Sequence, residues 1–457
     1  MNQELQEALA ASGASALIPK VIDPVLLEYQ RRYSPVVRAI PSIPWRADKY
    51  TFNQRTQQAT GGFVVDGGAQ PMSNSTYVQT DFQMKHLQVV GGVTGYAQEV
   101  TQDVIGNLRQ TEIDGAVKGM YWDMETAIMW GNAASTLAGA QPQFDGLDTQ
   151  VSTFSGSAQN AIDKAGATLS LATLDEIIDL AETNTSMQIN DSSWMFLMSS
   201  SSNSKMSQLL QANQWFADKV DIAAGLNVGT YRGIPMVKSS FLSARGYSVG
   251  TIASATATTG GSIAASTTYY YRISAIVARQ GEIAASVEVS QATGSGTATN
   301  TITLSFSTPP GLEGATPVLY KVYRSSGTGT ETLLGYVDAT VGLSADGITP
   351  ILTTSIVDDG VKLVPKNSTT APASPPAAYV GTNASMLPPA TGQENIYLIP
   401  RDRNFVVRPR VREAMPKDIY PTAASPDALP FALVTDTTLA VRGPKYLARA
   451  TRVAPSL

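Results

Sequence analysis

The chain has 457 residues, enough for two or three domains, and its 43% hydrophobic and 15% charged residues are typical of a folded globular protein. It has no cysteine, one histidine and a net charge of −5, which exclude thiol chemistry, a multi-histidine zinc site within one chain and a basic field that attracts nucleic acid or anionic lipid. No apolar run is long enough to cross a membrane and no signal peptide is evident, so we expect a protein that is made in a cytoplasm and stays there or leaves it by lysis.

The first two segments predict structures that need a partner. Residues 1–45 carry scattered prolines that keep regular elements short, so we interpret them as an N-terminal arm lying across another surface. Residues 46–92 predict a long β-hairpin, because alternating stretches at 49–55 and 77–87 enclose a glycine-rich tip. A two-stranded ribbon is only marginally stable alone, so we expect its tip to dock on a neighbouring molecule. The tip residues assigned to this contact are Gly61, Gly62, Phe63, Gly67 and Gly68.

Residues 97–131 contain the clearest helical pattern, with apolar residues at spacings of three and four. Gly106-Asn107 interrupts the pattern and predicts a short helix followed by a long one. The long helix is predicted from about Arg109 to Trp130, with a length of roughly 30 Å.

Residues 140–249 predict a compact body in which helices and strands are mixed. Thr173–Glu176 has the pattern of a capping box and predicts the start of a helix. Trp194–Met198 is an apolar run of strand length, a further helix is predicted near Lys205–Gln211, and Gly233–Val237 predicts another strand.

The composition changes near Gly250, after which Thr, Ser, Ala and Gly dominate about 110 residues. About seven short alternating segments predict an antiparallel β-sandwich over residues 250–361. The segment resembles a fibronectin type III or immunoglobulin-like module through Tyr269–Ala275 and Tyr320–Arg324. We assign the tyrosines at 269–271 to its core rather than to a sugar-binding platform.

The order of these parts resembles the major capsid proteins of tailed bacteriophages with the Hong Kong 97 fold. The resemblance rests on the arm, the glycine-tipped hairpin, the long helix ending at Met129–Asn132 and the loop to Phe144–Leu147. Gly229–Val237 is similar to a strand-entry motif of that family. The resemblance to this family implies an α+β fold with six parts. They are an N-arm (1–45), an extended loop (46–92), a peripheral domain with the spine helix (93–139), axial and further peripheral parts (140–249), an inserted all-β sandwich (250–361) and a return of the axial and peripheral domains (362–457).

The resemblance also implies a function. Such a chain assembles into hexamers and pentamers of an icosahedral shell around double-stranded DNA, without enzymatic activity, catalytic residues, metal or cofactor. Its partners are other copies of itself, the packaged DNA and scaffolding, portal and decoration proteins, with no membrane. It is located in the virion capsid after assembly in the cytoplasm of the bacterial host. Some relatives form lysine–asparagine cross-links, but the hairpin tip has no lysine between residues 61 and 71, so we expect none.

Two further expectations concern the inserted sandwich. Glycines near both of its ends, Gly250 and Gly360, suit paired linkers into a host fold. We expect the sandwich to sit on the outside of the shell, since a place inside would take up genome volume, and we expect shells to assemble without residues 251–360.

A few other residues were considered as sites. Arg408, Arg410 and Arg412 share one face of an extended segment, which suits ion pairs with a neighbouring subunit or, less favoured, contact with DNA phosphates. His86 is interpreted as a strand residue packing beside apolar neighbours, not as the base of a catalytic triad. Asp145 and Asp148 are spaced as a carboxylate pair, but without further ligands they do not predict acid–base or calcium chemistry.

Two other function classes stay open. One is a phage tail or cell-surface adhesin whose sandwich binds carbohydrate; the large non-repetitive α+β body argues against it. The other is a glycosidase with an accessory sandwich, for which no arrangement of acidic residues gives support. The sequence has neither a P-loop nor a dinucleotide-binding fingerprint.

Overall fold

The fold is α+β, as predicted. The computed structural model describes residues 34–69, 72–133, 143–152, 160–212, 219–223, 226–242, 248–296, 298–309, 316–343, 350–360, 390–419 and 427–455. Residues 1–33 of the predicted N-arm therefore lie outside the described residues. Two compact units are present, one containing residues 89–117 and 416–433 and the other containing 32–88, 118–415 and 434–457.

The regular elements are labelled in chain order. The helices are α1 (Val36–Ala39), α2 (Gly95–Ile105), α3 (Leu108–Trp130), α4 (Leu147–Ser152), α5 (Leu171–Thr185) and α6 (Ser200–Ala212), with a 3₁₀ turn at Pro444–Tyr446. The strands of the first half are β1 (Ser42–Pro44), β2 (Lys49–Gln57), β3 (Thr76–Gln83), β4 (Lys85–Thr94), β5 (Ala161–Asp163), β6 (Trp194–Met198), β7 (Lys219–Ala223), β8 (Leu226–Tyr231), β9 (Ile234–Lys238), β10 (Ala253–Ala257), β11 (Thr268–Val277) and β12 (Gly281–Glu282). The remaining strands are β13 (Val289–Ala292), β14 (Thr301–Ser305), β15 (Pro317–Ser325), β16 (Thr332–Asp338), β17 (Thr340–Leu343), β18 (Pro350–Leu352), β19 (Ser355–Asp358), β20 (Glu394–Pro400), β21 (Val406–Asp418), β22 (Ala428–Thr437), β23 (Ala440–Val441) and β24 (Ala448–Val453).

The predicted hairpin is present but shorter than expected. Strands β2 and β3 pair antiparallel, with Lys49 opposite Gln83 and Gln57 opposite Thr76. The next strand, β4, belongs to a different sheet, whose order is β1-β21-β22-β4. Near the base of the hairpin, Tyr50 and Met84 are buried with Val407 and Ala440, which fixes the base of the ribbon to its own subunit.

The helix pair at 97–131 is confirmed. Thr94 caps α2, because its hydroxyl accepts the Ala97 N–H (3.3 Å), and Gly106 follows the last residue of the helix. The second helix, α3, contains 23 residues, a length of about 35 Å at 1.5 Å per residue. Only its C-terminal half contributes buried side chains, from Met120 onwards.

The motif after α3 brings two backbone segments together. Gly131 and Gly146 face each other, and the Gly146 N–H donates to the Gly131 carbonyl (2.9 Å). A Cβ on Gly131 would lie 2.3 Å from the carbonyl oxygen of Phe144, so only glycine permits this approach. The close contact places α4 directly beside the end of α3.

The core of the larger unit is built on a seven-stranded sheet with the order β5-β24-β20-β6-β9-β8-β7. Every residue of β6 is buried, as its apolar run predicted. Its alternate side chains serve two cores, as the period of a strand requires. Trp194 and Phe196 pack in the cluster that includes α5 and α6, whereas Met195 and Leu197 pack in the cluster that includes the end of α3.

Two helices begin earlier than predicted. The cap of α5 is Ser170, whose hydroxyl accepts the Thr173 N–H (3.3 Å), so Thr173 lies in the first turn instead of capping it. Helix α6 starts at Ser200, since its serine-rich first turn gives no apolar signal.

Residues 253–358 contain two larger antiparallel sheets over one core and a separate two-stranded sheet, β17-β18. Strands β10, β14 and β19 form one sheet; β12, β11, β15 and β16 form the other, with β13 also paired to β11. Tyr271, Ile273, Ile302 and Val322 are buried between them, so Tyr271 is a core residue as predicted. The relation of this sandwich to immunoglobulin-like or fibronectin modules stays a prediction.

A buried carboxylate on α3 holds the described end of the arm. Glu125 is fully buried and accepts hydrogen bonds from the N–H groups of Val36 (3.3 Å) and Val37 (3.0 Å) and from the Ser239 hydroxyl (3.0 Å). Burial raises the pKa of Glu125 to about 7, because the loss of water outweighs the three hydrogen bonds that favour the charged form.

The free energy of unfolding is therefore predicted to fall as the pH rises towards neutrality. Glu125 ionises near its ordinary pKa of 4.5 in the unfolded chain but only near 7 in the folded one. Its contribution is complete below pH 4.5 and is lost as the pH passes through 7, a change on the order of 3 kcal/mol.

Urea unfolding at about pH 5 and about pH 8 tests this contribution. Glu125→Gln should lose less stability than the wild type between these conditions, because the amide cannot ionise. Glu182→Gln is the control, since Glu182 also accepts a backbone hydrogen bond, from Ile189 (2.7 Å), but is partly exposed. If Glu125→Gln and Glu182→Gln follow the wild-type pH profile equally, the assignment is wrong.

Candidate assembly surfaces

The hairpin tip presents apolar side chains to solvent. Phe63 is fully exposed, and Val64, Val65 and Met72 are exposed as well. The polar contacts of the tip are local: Ala59 and Thr60 donate their N–H groups to Ser75 and Ser73, at 3.2 and 3.0 Å. Exposing large apolar side chains is unfavourable by about 1.5–3 kcal/mol each relative to full burial. The tip is thus a candidate surface for contact with another molecule.

The predicted tip residues divide into two groups. Gly61, Gly62 and Phe63 lie in the extended part, whereas Gly67 and Gly68 form a turn in which Gly68 N–H donates to the Val65 carbonyl (2.8 Å). The sequence prediction named Phe63 but omitted Val64 and Val65, which the same apolar run could have identified.

The basic stripe on β21 has partners within the chain. Arg408, Arg410 and Arg412 alternate along the strand as predicted. Arg410 forms an ion pair with Glu413, and Arg412 forms one with Asp436. Burial lowers the pKa of Arg408, whose guanidinium contacts the sulfur of Met124. The stripe is therefore not a row of free cations.

His86 does not pack among apolar neighbours, so that prediction is wrong. Its side chain is 69% exposed and pairs with Asp436, the carboxylate that also binds Arg412. Burial alone would raise the pKa of Asp436, but hydrogen bonds from Arg412 and His86 lower it overall. The alternation that suggested an apolar face ends at Met84, between β3 and β4.

Asp145 and Asp148 do not face a common site. Asp145 accepts the Ala133 N–H (2.8 Å), and burial raises its pKa. Asp148 points elsewhere and binds Lys321 Nζ (2.9 Å), Arg449 Nη1 (2.6 Å) and the Tyr397 hydroxyl (2.8 Å). Over the residues that the structure describes, no group of three His, Cys, Asp or Glu side chains is placed to hold a metal ion.

Asp148 is the centre of a buried ion cluster that the sequence did not predict. Lys321 also binds Glu282 (3.1 Å), and the side chains of Asp148, Glu282, Lys321 and Arg449 are each at most 4% exposed. Two acidic and two basic groups cancel in charge. Lys321 Nζ lies 5.2 Å from the centre of the Trp130 ring, a cation–π distance.

The charges in this cluster fix each other's protonation states. Burial alone would raise the pKa of Asp148, but Lys321 and Arg449 lower it to about 2. Burial alone would lower the pKa of Lys321, but Asp148 and Glu282 hold it well above its usual range. With every charge compensated, the cluster is a structural feature of the core, not a reactive site.

We predict that Lys321→Met lowers the free energy of unfolding by about 3–5 kcal/mol, because it leaves an uncompensated buried carboxylate. Lys49→Met is the control: Lys49 is 58% exposed and 3.9 Å from Asp81, and exposed pairs contribute about 0–1 kcal/mol. Urea unfolding measures both.

A second variant separates charge from packing. Lys321→Met combined with Glu282→Gln restores neutrality and should recover part of the lost stability. Equal stability of the single and double variants would show that charge balance is not the cause.

Residues 14–255, just over half of the chain, match the model of the phage capsid family. Solved structures with a similar backbone include the holo-SrpI encapsulin complex of Synechococcus elongatus PCC 7942. The sequence identity is 10%, 98% of each chain is covered and the TM-score is 0.47. A chain of Mycobacterium phage Bobi has 8% identity, with 97% of this chain and 98% of that chain covered and a TM-score of 0.48.

The capsid of a native GTA particle is also similar, at 8% identity, with 98% of this chain and 99% of that chain covered and a TM-score of 0.46. No curated protein sequence matches the chain. In the described part of the chain, no helix is long and apolar enough to span a membrane.

Proposed function

The chain belongs to the phage capsid family, and from that premise we propose that it is the major capsid protein of a tailed bacteriophage. It is a capsid shell protein with an α+β fold of the Hong Kong 97 type, in a family that is structural and not enzymatic. We propose further that it assembles into hexamers and pentamers of an icosahedral shell enclosing double-stranded DNA. The division into axial and peripheral domains is part of the same proposal.

The exposed apolar tip of the hairpin carries the assembly proposal. The ribbon is anchored at its base by Tyr50 and Met84, while Phe63 and Val65 are exposed and Val64 is about half exposed among the subunit's described residues. Docking on a neighbouring copy would bury this apolar surface, and a repeated contact of this kind closes a symmetric particle. We therefore assign the tip, including Gly61, Gly62, Gly67 and Gly68, to contacts between subunits.

The basic stripe on β21 is proposed to contact a neighbouring subunit. Arg410 and Arg412 already bind acidic groups of the same chain, so ion pairs with a neighbouring subunit, like contacts with DNA phosphates, would compete with these contacts. Packaged DNA would then meet the shell without sequence-specific contacts. Scaffolding, portal and decoration proteins are expected partners, with assembly in the bacterial cytoplasm and a final place in the virion capsid.

The adhesin alternative has little physical support. A sugar-binding platform needs exposed aromatic faces, but Tyr271 is fully buried and Tyr269 packs against the sandwich core. The buried carboxylates Asp148 and Glu282 lie in a charge-compensated cluster, so this pair gives no support to a carboxylate-based glycosidase either.

We predict that replacing residues 61–68 with a short turn abolishes assembly while the subunit stays folded. Phe63→Ser with Val65→Ser should weaken assembly without shortening the ribbon, because it removes apolar surface. Negative-stain electron microscopy and sedimentation velocity of the purified chain measure particles and free subunits, and circular dichroism checks the fold.

Val287→Ser is the control, since Val287 is an equally exposed apolar residue in the sandwich, far along the chain from the tip. It should leave assembly unchanged. A wild-type chain that stays a monomer, or tip variants that assemble normally, would contradict the proposal.

A further inference from the structure

The turn between β11 and β12 of the sandwich forms polar contacts with the C-terminal half of α3. Arg279, between β11 and β12, binds Asp123 with two nitrogens, Nε to Oδ1 at 3.0 Å and Nη2 to Oδ2 at 3.4 Å. Its N–H donates to the Thr126 hydroxyl (3.2 Å), and its guanidinium lies 5.8 Å from the centre of the Trp122 ring. Arg279 has a φ of +62°, which is costly for a residue other than glycine. The contacts with α3 offset that cost.

The backbone of the same turn approaches the body closely. Gly281 has a φ of +94°, and a Cβ at this position would lie 2.3 Å from the carbonyl oxygen of Phe241. That carbonyl also accepts the indole N–H of Trp130, the last residue of α3, at 2.6 Å. The turn, the segment after β9 and the end of α3 therefore meet at one carbonyl group.

The sheet behind this turn is buried on both of its faces. On β11, Tyr271, Ile273 and Ala275 point into the sandwich, whereas Ile276 belongs to the cluster formed with α3. On β15, Leu319 belongs to that second cluster in the same way. A sandwich strand exposed to solvent would alternate between apolar and polar residues, but a strand covered on both faces would not.

The buried ion cluster lies on this second face. Lys321 is two residues from Leu319 and projects to the same side of β15, where it meets Asp148 of α4 and, through it, Arg449 of β24. Removing the sandwich would expose the apolar residues of α3 and leave Asp148 with one of its two cations.

We propose that the sandwich is an internal brace of the subunit, which holds the C-terminal half of α3 and helix α4 in place. Arg279 and Lys321 are its positioning residues. Without the brace the body lacks one wall of its core, so residues 251–360 are needed for folding, in contrast to the expectation from the sequence. The consequence for shell formation rests on the proposed function, whereas the brace itself does not.

Hydrogen–deuterium exchange of the full chain tests the brace. In Arg279→Ala, the amides of residues 118–130 should exchange at least about tenfold faster, whereas those of 317–325, inside the sandwich, should keep their rates. Arg272→Ala is the control, because Arg272 forms similar partly exposed ion pairs with Glu288 and Glu331 but only within the sandwich. It should leave residues 118–130 unchanged.

The brace is overturned if Arg279→Ala leaves the exchange of residues 118–130 unchanged, or if both variants accelerate it equally. Replacing residues 251–360 with a short glycine–serine linker is the second test: we expect no folded body and no particles, and normal particles would overturn the brace. A wild-type chain that forms no shells, with the exchange result as expected, would reject the capsid proposal and leave the brace intact.

Discussion

The buried cluster of four charges centred on Asp148 constrains how distant parts of the fold fit together. An isolated buried charge costs several kcal/mol, so Asp148, Glu282, Lys321 and Arg449 can leave water only together. They come from α4, β12, β15 and β24, segments distant in sequence. A shift of β15 by one residue would turn Lys321 into the apolar core of the sandwich and leave Asp148 undercompensated. The cluster therefore fixes how the sandwich, the sheet and the C-terminal strand fit together.

The subunit uses two apolar surfaces in opposite ways. The second face of the sandwich sheet is covered internally by α3, through Ile276 and Leu319. The hairpin tip at Phe63–Val65 is left uncovered by the residues that the structure describes. An apolar surface buried within a subunit contributes to its folding, whereas one left exposed on a ribbon contributes when a neighbour covers it. Under the proposed function, the first surface stabilises the subunit and the second is available to a neighbouring subunit.

Local patterns allowed much of the fold to be predicted. The hairpin, the break at Gly106, the long helix and the buried strand at Trp194–Met198 each depend on a periodicity or a turn residue that is visible in a short window. The start of α5 is not at Thr173, although Thr173 and Glu176 have the spacing of a capping box, because Ser170 three residues earlier caps the helix. His86 was misassigned because the alternation was extended across the junction between β3 and β4. The ion cluster and the contacts of Arg279 with α3 join segments that are distant in sequence. No local sequence pattern indicates which charged residues will form these contacts.

The most direct test of this account is a cryo-electron microscopy reconstruction of particles assembled from the purified chain. The account predicts a closed shell in which Phe63–Val65 of each subunit is covered by a neighbouring subunit. It also predicts that the sandwich lies against α3 of its own subunit, through Arg279 and Lys321. A chain that remains monomeric under assembly conditions, or a shell in which the hairpin tips project into solvent, would contradict it.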